Sequence, residues 1–210
     1  MNQHLIVDFD RTLFNNHEFF QDFSTILANY YDIDGQELHN IAHRHDVVRS
    51  KATGIFSAFD EIREHHPKVD IAHLKQTTRS ELGGRKYLFA DVRRFLERLR
   101  GADIEPIIMT VGTDEYQAFK AEFAPEINVY EFIITQHTKS QKIAQLAVDR
   151  GFRLSDITLI DDRGDTFDRA LQEMGIRGVR LDRVDSQYQH IESPSWVEEI
   201  TSLGGFQLTD

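Results

Sequence analysis

With 210 residues, 40% of them hydrophobic, the chain is long enough for one large domain or a core with a smaller module, and its mixed charges read as globular rather than disordered. The absence of cysteine excludes a disulfide framework and thiolate metal sites, and no apolar run is long enough to span a bilayer. A net charge of -11 argues against general affinity for the phosphate backbone of nucleic acids, but a local cation can still reverse the field around a small phosphorylated ligand.

Leu5-Ile6-Val7 is a short apolar run that delivers two carboxylates, Asp8 and Asp10, to its C-terminal end. The same acids interrupt what would be the apolar centre of a signal peptide, so a cytoplasmic protein is expected. From about Asn16 to Leu82 the periodicity is helical, with no convincing strand. Phe19, Phe20, Phe23, Ile26, Leu27 and Tyr30 mark a first helix, and Leu38, Ile41, Ala42, His45 and Val48 a second. Ile55, Phe56, Phe59 and Ile62 suggest a third, ended by Pro67; Ile71, Leu74, Thr78 and Leu82 suggest a fourth, ended by Gly83-Gly84.

After Gly84 helix and strand alternate. Val92, Phe95, Leu96 and Leu99 mark an amphipathic helix, and Pro106 to Thr110 a buried strand. Tyr116, Phe119 and Phe123 predict a helix, Glu131 to Thr135 a strand, and Ile143, Leu146, Ala147 and Arg150 a helix ended by Gly151. Ile157 to Asp161 reads as a strand, Thr166 to Met174 as a helix, Gly178 to Leu181 as a strand, and Trp196, Ile200 and Leu203 as a short terminal helix. This alternation predicts a Rossmann-like, three-layer α/β/α fold with a mainly parallel sheet. Residues 1–15 and 84–210 would form that core, and residues 16–83 an inserted helical cap. Ligands of such sheets bind beyond the carboxyl ends of the strands.

The strand ends carry the chemistry. Asp8 and Asp10 would face one spot if strand geometry persisted to Asp10, because positions i and i+2 share a side. Two anions held so close repel unless a cation or a shared proton intervenes, which suggests a Mg2+ site with one carboxylate free to react. The second strand ends in Thr110, the third leads to Lys139, and the fourth ends in Asp161-Asp162. Taken alone, Thr110 also reads as an N-cap. Lys142 rivals Lys139, but Ile143 and Leu146 then follow Lys139 as the inward face of one helix. His39, His43 and His45, with His65, His66 and His73, have spacings that can bind a transition metal, yet no acid or cysteine accompanies them, so a polar face is expected.

These residues resemble the haloacid dehalogenase (HAD) superfamily of phosphohydrolases over nearly the whole chain. The first motif matches Asp8-Phe9-Asp10-Arg11-Thr12, the second Thr110, the third Lys139 and the fourth Asp161-Asp162. The helical block lies where that superfamily inserts a cap. The resemblance implies that Asp8 is the nucleophile and forms an aspartyl-phosphate, while Asp10, which marks the phosphatase branch, is the acid–base group. It further implies Mg2+ held by Asp8, the main-chain carbonyl of Asp10, and Asp162. Thr110 would hold a non-bridging phosphoryl oxygen and Lys139 would supply positive charge to Asp8 and the phosphoryl group. Asp161 would cap or orient. Asp165 could hold a metal-bound water, although it lies nearer Asp162 in sequence than the family pattern has it. Arg11 replaces a small residue, and would serve substrate recognition or face solvent. The implied function is a Mg2+-dependent phosphohydrolase acting on a small phosphorylated metabolite, with neither nucleic acid nor membrane as partner. A phosphomutase and a non-catalytic phosphate-binding module are the alternatives.

Overall fold

In a computed structural model, which describes residues 4–35, 57–184 and 186–208, the alternating pattern becomes six strands. These are β1 (His4–Asp8), β2 (Ile107–Val111), β3 (Glu131–Thr135), β4 (Ile157–Asp161), β5 (Arg177–Leu181) and β6 (Glu198–Ile200). They form one sheet in the order β3-β2-β1-β4-β5-β6, and each neighbouring pair is parallel. The described helices are α1 (Asn16–Tyr31), α2 (Ala58–His65), α3 (Ile71–Glu81), α4 (Val92–Gly101), α5 (Asp114–Ala121), α6 (Lys139–Arg150) and α7 (Arg169–Glu173).

The chain runs from β1 outward through β2 to β3, then returns to β4 on the other side of β1. The β1/β4 boundary is therefore the topological switch point, where connections leave in opposite directions and open a crevice at the strand ends. Register places Val7 opposite Ile160, so Asp8 and Asp161 finish adjacent central strands. Packing fixes the helix that completes the site. Ile143, Leu146 and Ala147 of α6 are buried with Ile6, Met109, Ile157 and Leu159 of the sheet. Burying a side chain such as Ile143 or Leu146 contributes about 1.5–3 kcal/mol, which holds α6 in one rotational setting. Thr138 caps its start by accepting from the Gln141 N–H, and Gly151 closes its end at φ 68°.

Two compact units are present. One comprises Met1–Phe14, Leu88–Val111 and Glu126–Asp210; the other comprises Asn15–Tyr87 and Gly112–Pro125. The second unit has an aromatic core of its own. Phe19 lies 5.4 Å from both Tyr87 and Phe123 by ring centroid, and Phe59 lies 5.2 Å from both Tyr116 and Phe119. Those contacts explain why residues 112–125, read from sequence as part of the sheet domain, pack with the helical unit.

Two sequence expectations need correction. The spacing of Trp196, Ile200 and Leu203 predicted a helix, but Glu198–Ile200 is β6 and Leu203–Gly205 a single 3-10 turn. An i, i+4, i+7 coincidence over so few residues carries little helical stability by itself, and backbone pairing with Val179 to Leu181 wins. The helix expected over 166–174 is shorter, because Asp168 accepts from the Leu171 N–H and starts α7 there. The second predicted helix, with His39, His43 and His45, lies outside the described residues, as do Ile55 and Phe56. Among the described residues no helix is long and apolar enough to cross a membrane.

Candidate active site

Strand geometry stops at Asp8. Both the Leu13 and Phe14 N–H groups donate to the Phe9 carbonyl, at 3.0 and 2.8 Å, and the Arg11 N–H donates to the Phe14 carbonyl at 2.8 Å. This turn sets Arg11 at φ 62°, a left-handed conformation that costs a side chain other than glycine about 1–2 kcal/mol. Strand geometry therefore does not carry Asp10 to the site, yet the Asp10 charge still acts on Asp8 and helps to raise its carboxyl. Asp8 stays buried at the end of β1, while the Asp10 carboxylate accepts a 3.2 Å hydrogen bond from Thr110 Oγ1.

The group that converges on Asp8 comes from β4 and α6. Carboxylate oxygens of Asp8, Asp161 and Asp162 lie within 4.8 Å of one another, and all three residues are buried. Lys139, the first residue of α6 and itself 6% exposed, forms ion pairs with both Asp8 and Asp161. Lys142 is only half-buried. Asp161 has its remaining oxygen occupied, accepting from the Arg163 N–H at 2.8 Å and from Thr166 Oγ1 at 3.1 Å. Asp162 differs. It is 3% exposed, and its Oδ2 has no hydrogen-bond partner.

Three carboxylates against one ammonium leave an excess of two negative charges if all are ionised. Burial answers by pushing the Asp8 carboxyl up to about 7, against the opposing pull of Lys139. Burial also holds Asp162 well above the usual carboxylate range, reinforced by Asp161 and Asp8 and opposed by Arg11. For Lys139 burial acts downward, but Asp161 and Asp8 outweigh it and raise the ammonium above its ordinary value. A hard divalent cation fits this donor set: the ligands are oxygens, the excess charge matches, and an orphaned Asp162 oxygen stands ready.

No protein-family model matches the chain, and no curated protein does. Solved structures match it over nearly its whole length. A haloacid dehalogenase-like hydrolase from Burkholderia xenovorans LB400 aligns with a TM-score of 0.68 at 17% identity, covering 95% of this chain and 94% of that one. The HAD-hydrolase YfnB from Bacillus subtilis, bound to magnesium, aligns with a TM-score of 0.66 at 15% identity, covering 96% and 95%. The L-2-haloacid dehalogenase from Xanthobacter autotrophicus, with chloropropionic acid covalently bound, aligns with a TM-score of 0.65 at 11% identity, covering 97% and 96%. This chain has the haloacid dehalogenase-like fold.

Within that haloacid dehalogenase-like fold the remaining expected residues divide. Thr110 is a buried residue of β2 rather than a helix cap; the cap of α5 is Thr113. Asp165 is exposed and makes a forked ion pair with Arg163, at 2.9 and 2.6 Å, and does not join the acid cluster. The structure also brings in a residue that the sequence did not single out. Tyr188 places its ring 4.9 Å from the Arg11 guanidinium carbon and 4.7 Å from that of Arg163. A tyrosine on a loop so far along the chain from Arg11 carries no local signal, so only the folded contact finds it.

The acid cluster predicts a pH-dependent metal effect. In the metal-free fold Asp8 keeps its proton up to about pH 7, whereas an unfolded aspartate loses it near pH 4. The folded state then binds more protons, so stability falls as pH rises through that interval. A divalent cation removes the penalty by displacing the proton. Added Mg2+ should raise the melting temperature, by an increment that grows from about pH 5.5 to about pH 8. A melting-temperature increment independent of pH would contradict this account of the cluster.

Proposed function

We propose that the protein is a Mg2+-dependent phosphohydrolase that cleaves a small phosphomonoester through an aspartyl-phosphate on Asp8. The observation that carries the reading is the unpartnered Asp162 oxygen, buried beside the Asp8–Lys139 pair. Bound Mg2+ would supply charge to offset the acid cluster and to stabilise the phosphoryl oxygens, with Asp8, Asp162 and the Asp10 main-chain carbonyl holding it.

The protein's own groups account for the steps. Lys139 opposes the burial that favours protonated Asp8 and fixes the direction of its carboxylate, and Asp161 fixes Lys139 from the other side. An Asp8 carboxylate oxygen bonds to phosphorus as the ester oxygen departs. Asp10 gives that oxygen its proton, then takes one from the water that attacks the acyl-phosphate, returning Asp8 and releasing inorganic phosphate. Thr110 donates to Asp10, so its first task is to aim the acid–base carboxyl.

Asp10 is also what favours phosphorus over carbon–halogen chemistry. Halide leaves as a stable anion and needs no proton; an alkoxide does. An acid steered by Thr110 would be idle in dehalogenation. Asp10→Asn should therefore lower kcat by about 100- to 10,000-fold, while Mg2+ and a substrate analogue still shift the melting temperature. Unchanged kcat would remove Asp10 from its role.

The direct test is a panel of phosphomonoesters assayed for Mg2+-dependent phosphate release, with chelator and Asp8→Asn controls and 2-chloropropionate as the halide-release arm. Multiple turnovers without any added sugar bisphosphate set a hydrolase apart from a phosphomutase. Halide release with no phosphate release would reverse the assignment.

A further inference from the structure

The turn that carries Asp10 is gripped by a side chain from far along the chain. Within this turn Arg11 sits at φ 62°, and backbone strain of that kind persists only where the surroundings over-determine it. The peptide joining Thr12 to Leu13 is held at both ends. Its N–H donates to the Phe9 carbonyl at 3.0 Å, and its C=O accepts from Arg183 Nη2 at 2.8 Å. The next carbonyl, of Leu13, accepts from the Phe89 N–H at 3.0 Å. Arg183 itself lies just past β5, with its guanidinium carbon 4.0 Å from the Phe89 ring centroid.

Asp91 fixes the guanidinium in turn. It stands at the N-cap of α4, where an aspartate ordinarily accepts from the first turn of its helix, yet it makes no such bond. Its carboxylate accepts instead from Arg183 Nη1 at 3.1 Å, from Arg183 Nη2 at 2.9 Å, and from the Leu203 N–H at 2.9 Å. The charges of Arg183 and Asp91 cancel, so the pair brings geometry to the turn and no net charge to the acid cluster. Asp10, two residues before Thr12, needs that geometry. Its hydrogen bond from Thr110 Oγ1 is 3.2 Å long, against about 2.7–2.8 Å for most bonds between oxygens, so the hydroxyl alone is a loose hold on the carboxylate.

We propose that Arg183, anchored by Asp91, is a positioning residue that aims Asp10 by holding the Thr12 carbonyl. The inference rests on the phosphohydrolase reading above, in which Asp10 gives its proton to the departing ester oxygen. A cross-link that served folding alone would be indifferent to which group departs.

The test compares phenyl phosphate with 4-nitrophenyl phosphate, two esters of similar shape. Phenolate is the more basic leaving group, so its departure needs the Asp10 proton more. Wild-type protein with Mg2+ should release phosphate from both. Arg183→Met keeps an unbranched side chain and removes every donor. It should lower kcat/KM for phenyl phosphate by about 10-fold more than for 4-nitrophenyl phosphate, since a displaced catalytic group costs up to about 100-fold. Arg183→Lys retains the charge and one donor without the fork, and should recover part of that difference. Should Arg183→Met fail to fold, Arg183→Lys carries the comparison by itself, with the same direction and a smaller ratio. In an Asp10→Asn background either substitution should leave the ratio between the two esters unchanged, because the carboxyl that Arg183 aims is gone. Equal losses on both esters, or a ratio change that persists without the Asp10 carboxyl, would overturn the inference and leave the phosphohydrolase reading standing. No phosphate release from either ester by wild-type protein would overturn both.

Discussion

Asp8→Asn should reduce phosphate release by at least about 10,000-fold, the scale of loss when a covalent nucleophile is removed. The amide matches the carboxylate in shape and can still accept from Lys139, so the fold should survive. It cannot attack phosphorus. The substitution also has an unusual stability sign. Asp8 is one of three buried carboxylates crowded around a single ammonium, and burial pushes it up to about 7. Above that pH Asp8 adds its own charge to the repulsion of the wild-type cluster in the absence of metal, whereas the variant carries one charge less. Metal-free Asp8→Asn should accordingly melt no lower than wild type at about pH 8, and gain less from Mg2+. A phosphate assay and a thermal melt on one preparation check both claims. Turnover within tenfold of wild type would dismiss Asp8 as the nucleophile.

The strand ends were legible because each element that delivers them has a strong local signature. Ile157 to Asp161 and Glu131 to Thr135 are apolar or β-branched runs of strand length, and both became strands over those residues. Lys139 could be preferred over Lys142 because Ile143 and Leu146 fix which face of α6 turns inward. What failed depended on contacts between distant residues or on turn geometry. Asp10 was expected to reach Asp8 by strand geometry, but it is the hydrogen-bonded turn from Phe9 to Phe14 that places it, beside Thr110 and with its charge still acting on Asp8. Glu198–Ile200 pairs with β5 only because β5 presents an edge there, which no local pattern announces. Phe119 and Phe123 packed with the helical unit through aromatic contacts to Phe19, a neighbour about a hundred residues away along the chain.

That division matters for function. The acid cluster is held by the sheet and α6, elements whose burial is distributed over many apolar residues, so its geometry is robust.

Lys139→Met should be the most destabilising single change at the site. Methionine fills much of the same volume, so the loss reports charge rather than a cavity. Without the ammonium, Asp8, Asp161 and Asp162 face one another with no cation among them, and removing one partner of a buried ion pair costs about 3–5 kcal/mol. The pH dependence follows from the sign of the shifts. Burial already raises Asp8 and Asp162, and losing Lys139, which opposes that rise, lifts both further. The folded variant then binds more protons than the unfolded chain across a wider interval, so its stability falls as pH rises through that interval. The deficit against wild type should be large at about pH 8, shrink toward about pH 5 as the carboxylates take up protons, and narrow on adding Mg2+. Lys142→Met, one helical turn away and half-exposed, should stay within about 0.5 kcal/mol of wild type throughout. Denaturant titrations of the two variants at both pH values measure the difference. A Lys139→Met deficit that is constant with pH would show the loss to be one of packing, and would leave the buried acids without the electrostatic conflict on which metal binding is argued.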